Sequence, residues 1–333
     1  MKKAIILANV GTPDKAEVPA VYRYLTQFLN DKRVIDLPLP LKLFLVNAII
    51  IPFRVFNSTK LYKLLWSEKG SPLRYLTDML ALKLEKELGS EFKVYAGMRY
   101  GRPSIGSVMA EIKKQSFEEI IVLPMFPQYA SSTSGTASEA ILSEISHWNV
   151  IPGIRFIGQF YDHPAYIEAF AQQAAKYDLN SYDHFLFSYH GLPDSHINRT
   201  HPEINIRDCN CEQSMPAHGK FCYKATCYET TRLLAKKLGI PTEKFSVAFQ
   251  SRLDKNWLTP FSDKTIIELA KAGKKKVLVF APSFVTDCLE TIIEIGYEYA
   301  ELFHEHGGEK LEMAEGLNDS TVWARALKKI IEA

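Results

Sequence analysis

The sequence predicts an α/β protein built from two Rossmann-like, doubly wound parallel-sheet units facing across a cleft. Three observations carry this. Short apolar runs rich in Val, Ile and Phe recur, and each stops at a polar segment bearing Gly or Pro, as strands buried on both faces do. Stretches of helical periodicity separate these runs, the pattern of βαβ crossovers. After Tyr161 the alternation starts again. The first unit is expected over 1–155, with residues 319–333 packing back on it as a closing helix, and the second over 156–318. A chain of 333 residues suits two domains of ordinary size.

The elements follow in order. Residues 3–10 form an apolar run closed by Gly11-Thr12-Pro13, which reads as a central strand and a tight turn. The start briefly resembles a signal peptide. Its apolar part is short, however, and residues 11–15 offer no small-residue cleavage site, so a strand and a cytoplasmic location are expected. The turn lacks the glycines of a dinucleotide fingerprint or P-loop, so no nucleotide is expected. Residues 17–29 read as helix. Residues 34–57 are the most apolar stretch and are interrupted by Pro38, Pro40 and Pro52. They suit a buried helix pair, the lip of an apolar pocket, or a surface that touches membrane. A helix after Ser71-Pro72-Leu73 ends near Gly89, with Leu80, Leu84 and Leu88 in one stripe. Strands are expected at 92–100, 118–125 and 154–160, with helices at 104–115 and 136–147. The hydroxyl-rich loop 130–136 supplies a helix cap more readily than an anion cradle.

In the second half a helix at 164–176 precedes the run Phe185-Leu186-Phe187-Ser188-Tyr189-His190-Gly191-Leu192-Pro193. A buried strand that stops at a histidine delivers that side chain to the carboxyl edge of the sheet, where ligands of open α/β sheets bind. Histidine titrates near neutrality, so His190 is a candidate proton acceptor. Further strands are expected at 245–250, 276–281 and 311–317, and a helix at 320–332. Asp287, Glu290, Glu294 and Glu298 begin a helix, the last three at i, i+4 and i+8. Like charges in one stripe weaken a helix slightly. Such a stripe suits a divalent cation or proton transfer beside a histidine. Arg99 and Arg252 are fork-shaped donors suited to carboxylates. Trp257, Tyr129, Tyr189 and the apolar 34–57 stretch suit a flat aromatic ligand.

Four of the five cysteines, Cys209, Cys211, Cys222 and Cys227, cluster in the polar segment 209–227. Four thiolates fit structural zinc or an iron–sulfur cluster, although C-x-C is unusual for zinc. Free or disulfide cysteines are the third reading. Lys+Arg 40 against Asp+Glu 38 leaves a charge of +2, which gives no ground for nucleic-acid binding.

Taken in order, these segments resemble the ferrochelatases. The resemblance rests on Leu7-Ala8-Asn9-Val10-Gly11-Thr12-Pro13, Ser71-Pro72-Leu73, Arg99-Tyr100, Pro127-Gln128-Tyr129 with its Ser/Thr loop, and Ser188-Tyr189-His190-Gly191-Leu192-Pro193. It continues through Gln250-Ser251 with Trp257-Leu258-Thr259-Pro260, and Asp287-x-x-Glu290-Thr291. It implies the chelatase-like fold and a lyase, protoporphyrin ferrochelatase, that inserts Fe2+ into protoporphyrin IX to give protohaem, releasing two protons. By position, His190 resembles the family's catalytic histidine and Glu290 its partner. Glu294 and Asp287 continue a proton or metal path from these two. Ile35, Arg99, Tyr100, Tyr129, Ser251 and Trp257 match substrate neighbours, with Ser251 at a propionate. Some bacterial relatives hold a [2Fe–2S] cluster on four internal cysteines, which Cys209, Cys211, Cys222 and Cys227 resemble. Two positions depart from the pattern. Cys288 stands where many relatives have histidine, and Leu253-Asp254 follow Arg252 where the family has glycine. Insertion into coproporphyrin III is the sister reading. A non-catalytic haem carrier is a rival that would have no use for the carboxylate stripe. Weak peripheral membrane contact through 34–57 is a further expectation. The sequence leaves oligomeric state open.

Overall fold

The structure is a computed structural model that describes residues 2–200 and 204–333. It divides into two compact units. One comprises the chain up to Phe126, Ala130–Gln159 and Asp319–Ala333, and the other Pro127–Tyr129 and Phe160–Asn318. In the first, β1 (Lys3–Gly11), β2 (Phe92–Tyr100), β3 (Glu119–Pro124) and β4 (Gly153–Phe156) form a sheet of order β2-β1-β3-β4. In the second, β5 (His184–His190), β6 (Phe245–Gln250), β7 (Lys276–Phe280) and β8 (Lys310–Met313) repeat that plan as β6-β5-β7-β8. Every pairing is parallel.

Alternation along β1 explains why both faces need helices. Ala4, Ile6 and Ala8 pack with Val108, Met109, Ile112 and Ile141 of the helices Ile105–Lys113 and Thr136–Ile145. Ile5 and Leu7 point to the opposite face and are also wholly buried. In the second unit Leu186, Ala248, Val277 and Val279 meet Ile266 and Ala270 of the helix Ser262–Lys271, together with Ile295 and Phe303. Truncating one such side chain to Ala typically costs about 2–5 kcal/mol.

Gly11 ends β1 at φ +104, and a Cβ there would lie 1.7 Å from the Tyr100 carbonyl oxygen. Only glycine permits this approach of two strand ends. The helix Thr321–Glu332 belongs to the first unit. Lys83 Nζ donates to the Asp319 carbonyl at 2.6 Å and Lys328 Nζ to the Glu87 carbonyl at 3.0 Å.

Four sequence expectations are corrected. β4 stops at Phe156: beyond it Ile157 N–H makes one more bond, to the Val122 carbonyl at 2.9 Å, and Phe160 N–H bonds the Pro127 carbonyl instead, at 2.9 Å. β8 stops at Met313 because Gly316 and Asn318 are drawn to Asp287. The apolar stretch is one helical run, Leu39–Phe44, a π-helix at Leu45–Ile50, then Ile51–Leu65, with Pro40 in its first turn, where a missing N–H is tolerated, and Pro52 at the junction of the π- and α-helical segments. Only 22% of its most apolar window is buried, which excludes a buried helix pair. Last, Glu290–Tyr299 is a π-helix rather than an α-helix. Along it Glu298 is exposed while Glu290 and Glu294 are half-buried.

Candidate functional site

His190 closes β5, opposite Gln250 in the β6 register. Its Nδ1 lies 2.6 Å from the Gly191 carbonyl oxygen. A carbonyl can only accept, so Nδ1 carries the proton and Nε2 keeps the lone pair. The half-buried ring stands between Trp257 and Phe284, centroids 6.4 and 6.3 Å away. Its backbone carbonyl accepts from the Tyr223 hydroxyl at 3.0 Å. Gly191 N–H donates to the Gln250 carbonyl at 2.8 Å, and a Cβ on Gly191 would lie 2.8 Å from that oxygen. The glycine of the His-Gly pair therefore lets the strand ends close behind the imidazole.

Gln250 joins this edge to the π-helix. Its Nε2 reaches the Glu290 carbonyl at 3.4 Å and Glu294 Oε2 at 3.3 Å. Ser251 holds the same carboxylate with both its N–H (2.9 Å to Oε1) and its hydroxyl (2.5 Å to Oε2). The Tyr299 hydroxyl adds a second bond to Oε1, at 2.8 Å. Ser251 takes the left-handed conformation, φ 61, which is costly for a residue with a side chain. The turn aims its N–H and hydroxyl at one carboxylate. Burial and the Glu294 charge push the Tyr299 hydroxyl up, so it remains a donor at neutral pH.

Glu290 stands apart from that clamp. Its neighbour is the buried thiol of Cys288, held protonated by burial and then by the Glu290 charge. Asp287 is a different kind of acid. It accepts from Asn318 Nδ2 at 2.7 Å, the Thr291 hydroxyl at 3.0 Å and Gly316 N–H at 3.2 Å, and its own N–H donates to Asn318 Oδ1. Burial raises its pKa, while these bonds oppose the rise. Its carboxylate thus ties the start of the π-helix to the loop after β8.

In the first unit, Arg99 and Tyr100 end β2 and converge on Asp31. Arg99 Nη2 (2.6 Å), the Tyr100 hydroxyl (2.9 Å) and the Thr136 hydroxyl (2.6 Å) all donate to one carboxylate oxygen, and Arg33 N–H (2.8 Å) to the other. Burial works to raise the Asp31 pKa. The bonds from Thr136 and Arg33 and the Arg99 charge outweigh it and hold the acid below its ordinary 3.8. Ile35 is half-buried in the following turn. Arg252 is likewise taken, by Asp263 and the face of Phe261. Both arginine forks are therefore paired within the protein. Tyr129 stacks edge-on against Phe221 at 6.2 Å.

The second unit thus brings together His190, Trp257, Ser251, Glu290 and Glu294, with Asp287 as an anchor below them. Gln250, at their centre, was absent from the sequence-derived site. The available signal was a polar side chain ending an apolar strand, facing the histidine.

The four clustered cysteines are all buried. Cys222 caps the helix Tyr223–Leu238, its sulfur accepting from Ala225 N–H at 3.4 Å. A hydrogen bond from Cys211 pulls the Cys222 pKa down, and the same bond, with burial, pushes Cys211 up. Cys209 approaches Cys211 and His218 Nε2, the latter at 3.6 Å. Lys224, almost wholly buried, pairs with Glu212 at 2.5 Å. Among the described residues no group of three or more His, Cys, Asp or Glu is arranged as a preformed metal centre.

Two parallel four-stranded sheets of this order place the chain in the metal-chelatase fold class. SirB from Bacillus subtilis, solved with Fe3+, matches with a TM-score of 0.54 at 12% identity, covering 99% of this chain and 96% of that one. The sirohydrochlorin chelatase SirB from Bacillus subtilis subspecies spizizenii, in complex with cobalt, matches at 0.53 and 12%, covering 100% and 94%. At such identity these establish the fold alone. The sequence comparisons go further: the ferrochelatase family model matches residues 2–333. A ferrochelatase of Legionella pneumophila (strain Lens) is 42% identical over 335 residues, 99% of each chain. One of Coxiella burnetii (strain Dugway 5J108-111) is 41% identical over 334 residues, 99% of this chain and 93% of that one. The chain belongs to the ferrochelatase family.

Proposed function

We propose that this protein is a lyase that inserts ferrous iron into protoporphyrin IX, releasing two protons and forming protohaem in haem synthesis. Beyond family membership, one observation carries the reading. The Nε2 lone pair of His190 stands at the strand edge that Gln250 links to Glu290 and Glu294. Insertion must remove two pyrrole protons and accept a cation, so it needs a base and a polar route. His190 Nε2 takes a pyrrole proton or meets the metal. Glu290, less encumbered than Glu294, is its partner, and Glu294 continues the path. Trp257 contributes an apolar wall. Ser251 can reach a propionate by exchanging its hydroxyl bond from Glu294 to the ligand. Ile35, Arg99, Tyr100 and Tyr129 are assigned to the substrate side by family position.

The test is anaerobic: loss of free-porphyrin fluorescence with ferrous iron and either protoporphyrin IX or coproporphyrin III, beside His190→Ala. Wild type should consume protoporphyrin faster. His190→Ala should lose at least about 100-fold in turnover while still binding porphyrin. Faster use of coproporphyrin would change the substrate. Tight binding without insertion by wild type would make the protein a carrier.

We also propose that Cys209, Cys211, Cys222 and Cys227 hold a [2Fe–2S] cluster. Four buried thiols fit its donor set, and the Cys222 cap and buried Lys224 favour thiolate charge. When bound, such a cluster supplies one-electron chemistry that metal insertion does not require. Visible absorption and acid-labile sulfide should accompany the purified protein and vanish in Cys222→Ser. Retention of both by the variant would refute this ligand set.

A third proposal places the protein in the cytoplasm with weak contact to an anionic membrane. Leu39, Leu41, Phe44, Phe53, Phe56 and Leu64 are exposed along one helical run. Residues 37–67 contain no acidic residue but include Arg54, Lys60 and Lys63. Flotation with phosphatidylglycerol vesicles should fall in Phe53→Asp/Phe56→Asp. Equal flotation of variant and wild type would remove the proposal.

A further inference from the structure

Three polar side chains lie wholly inside the second unit behind the Glu294 carboxylate: Ser188, Gln250 and Ser262, exposed by 0, 1 and 0%. Burying polar groups among strands is costly unless each is hydrogen-bonded. Here each is. The Ser188 hydroxyl lies 2.7 Å from Gln250 Oε1 and 2.9 Å from the Ser262 hydroxyl.

Their protons can be arranged in one way. The ionised Glu294 carboxylate only accepts, as does the Glu290 carbonyl, so Gln250 must turn its NH2 towards them. Its Oε1 then faces Ser188 and needs a donor. Ser188 has one proton and spends it there, so Ser262 donates to Ser188. The direction is fixed from end to end: Ser262 to Ser188 to Gln250 to Glu294. Placement adds a second argument. Ser188 is two residues before His190 on β5, so both side chains leave the same face of the strand. Gln250 is the β6 partner of His190. The chain therefore ties the amide that touches the π-helix to the strand that presents the histidine.

We infer that Ser188 and Ser262 are positioning residues that lock the Gln250 amide, and through it the Glu294 carboxylate, for delivery of ferrous iron. The inference rests on the proposed role of Glu294 in the iron path. Without the Ser188 hydroxyl Gln250 Oε1 is left buried without its donor, and only the long Nε2 contacts at 3.3 and 3.4 Å still orient the amide. A flipped amide would present its oxygen to the Glu294 carboxylate and repel it.

Steady-state insertion in the full-length protein separates the two substrates. Ser188→Ala should raise KM for ferrous iron about fivefold or more and leave KM for protoporphyrin within twofold. A general packing defect would affect both alike. Ser262→Ala, which removes only the far donor, should shift the same constant in the same direction by less, and it serves if Ser188→Ala does not fold. Glu294→Gln is the control. If Glu294→Gln raises the iron KM while both serine variants stay within twofold of wild type, the positioning role is overturned. If Glu294→Gln also leaves iron kinetics unchanged, the reading of Glu294 fails instead.

Discussion

The two units share one strand order but use their strand ends differently. In the first, the central strand β1 ends on Gly11 and the neighbouring strand end is sealed by Asp31, which has four donors on two oxygens. In the second, the equivalent strand β5 ends on a histidine with a lone pair to offer, and Glu290 has a weakly donating thiol as its neighbour. Both acids are partly or largely buried. Between these two acids the difference lies in the number of donors each has been given rather than in its depth.

Paired substitutions test this contrast at its largest effect. Asp31→Ala leaves Arg99 without its counter-ion and should cost about 3–5 kcal/mol in urea unfolding. Glu290→Gln should leave unfolding within ~1 kcal/mol yet lower iron insertion by about 100-fold or more. Equal effects of the two on unfolding would collapse the distinction.

A second comparison lies along β5 itself. His184 opens the strand and His190 closes it. His184 is buried, its Nε2 2.9 Å from the Ser246 hydroxyl, and burial followed by the Lys274 charge pushes its pKa down from 6.5 to about 4. The unfolded chain therefore takes up this proton first as pH falls. The His184 contribution to stability is intact above pH 6.5 and is lost between pH 6.5 and about 4, a change of up to about 3 kcal/mol. Urea titrations across that window should show the loss in wild type and a smaller one in His184→Phe. Identical pH profiles would show that His184 does not carry it. The smallest effect is at the first unit's closing helix. Ser320 caps it by accepting from Trp323 N–H at 3.2 Å, and Ser320→Ala should cost about 1 kcal/mol.

Most strands were legible because parallel strands covered on both faces read as continuous apolar runs, as in residues 3–10, 92–100 and 185–190. The far ends of the edge strands β4 and β8 were not. β4 and β8 end where neighbours distant in sequence, such as Asp287, redirect the chain, and local composition carries no trace of that. The π-helix was equally hidden, since the spacing of Glu290, Glu294 and Glu298 suits an α-helix as well. The burial of 34–57 was ambiguous because apolar composition does not say what covers a helix. The placement of His190 at a strand end could be read from its flanking residues. The locking of Gln250 could not, because its partners Ser188 and Ser262 come from other elements and meet it only in the folded chain.

The closing helix has a consequence for synthesis. Chains emerge from the ribosome amino end first, and domains commonly fold as they appear. Here Asp319–Ala333 belongs to the first unit, although all of Phe160–Asn318 is translated in between. The half that is made first is therefore finished last. During elongation its helix Pro72–Leu88 waits with the seat of Trp323, Leu327 and Ile331 uncovered, while the later half already has its full sequence. That interval is when the nascent protein most needs protection from aggregation.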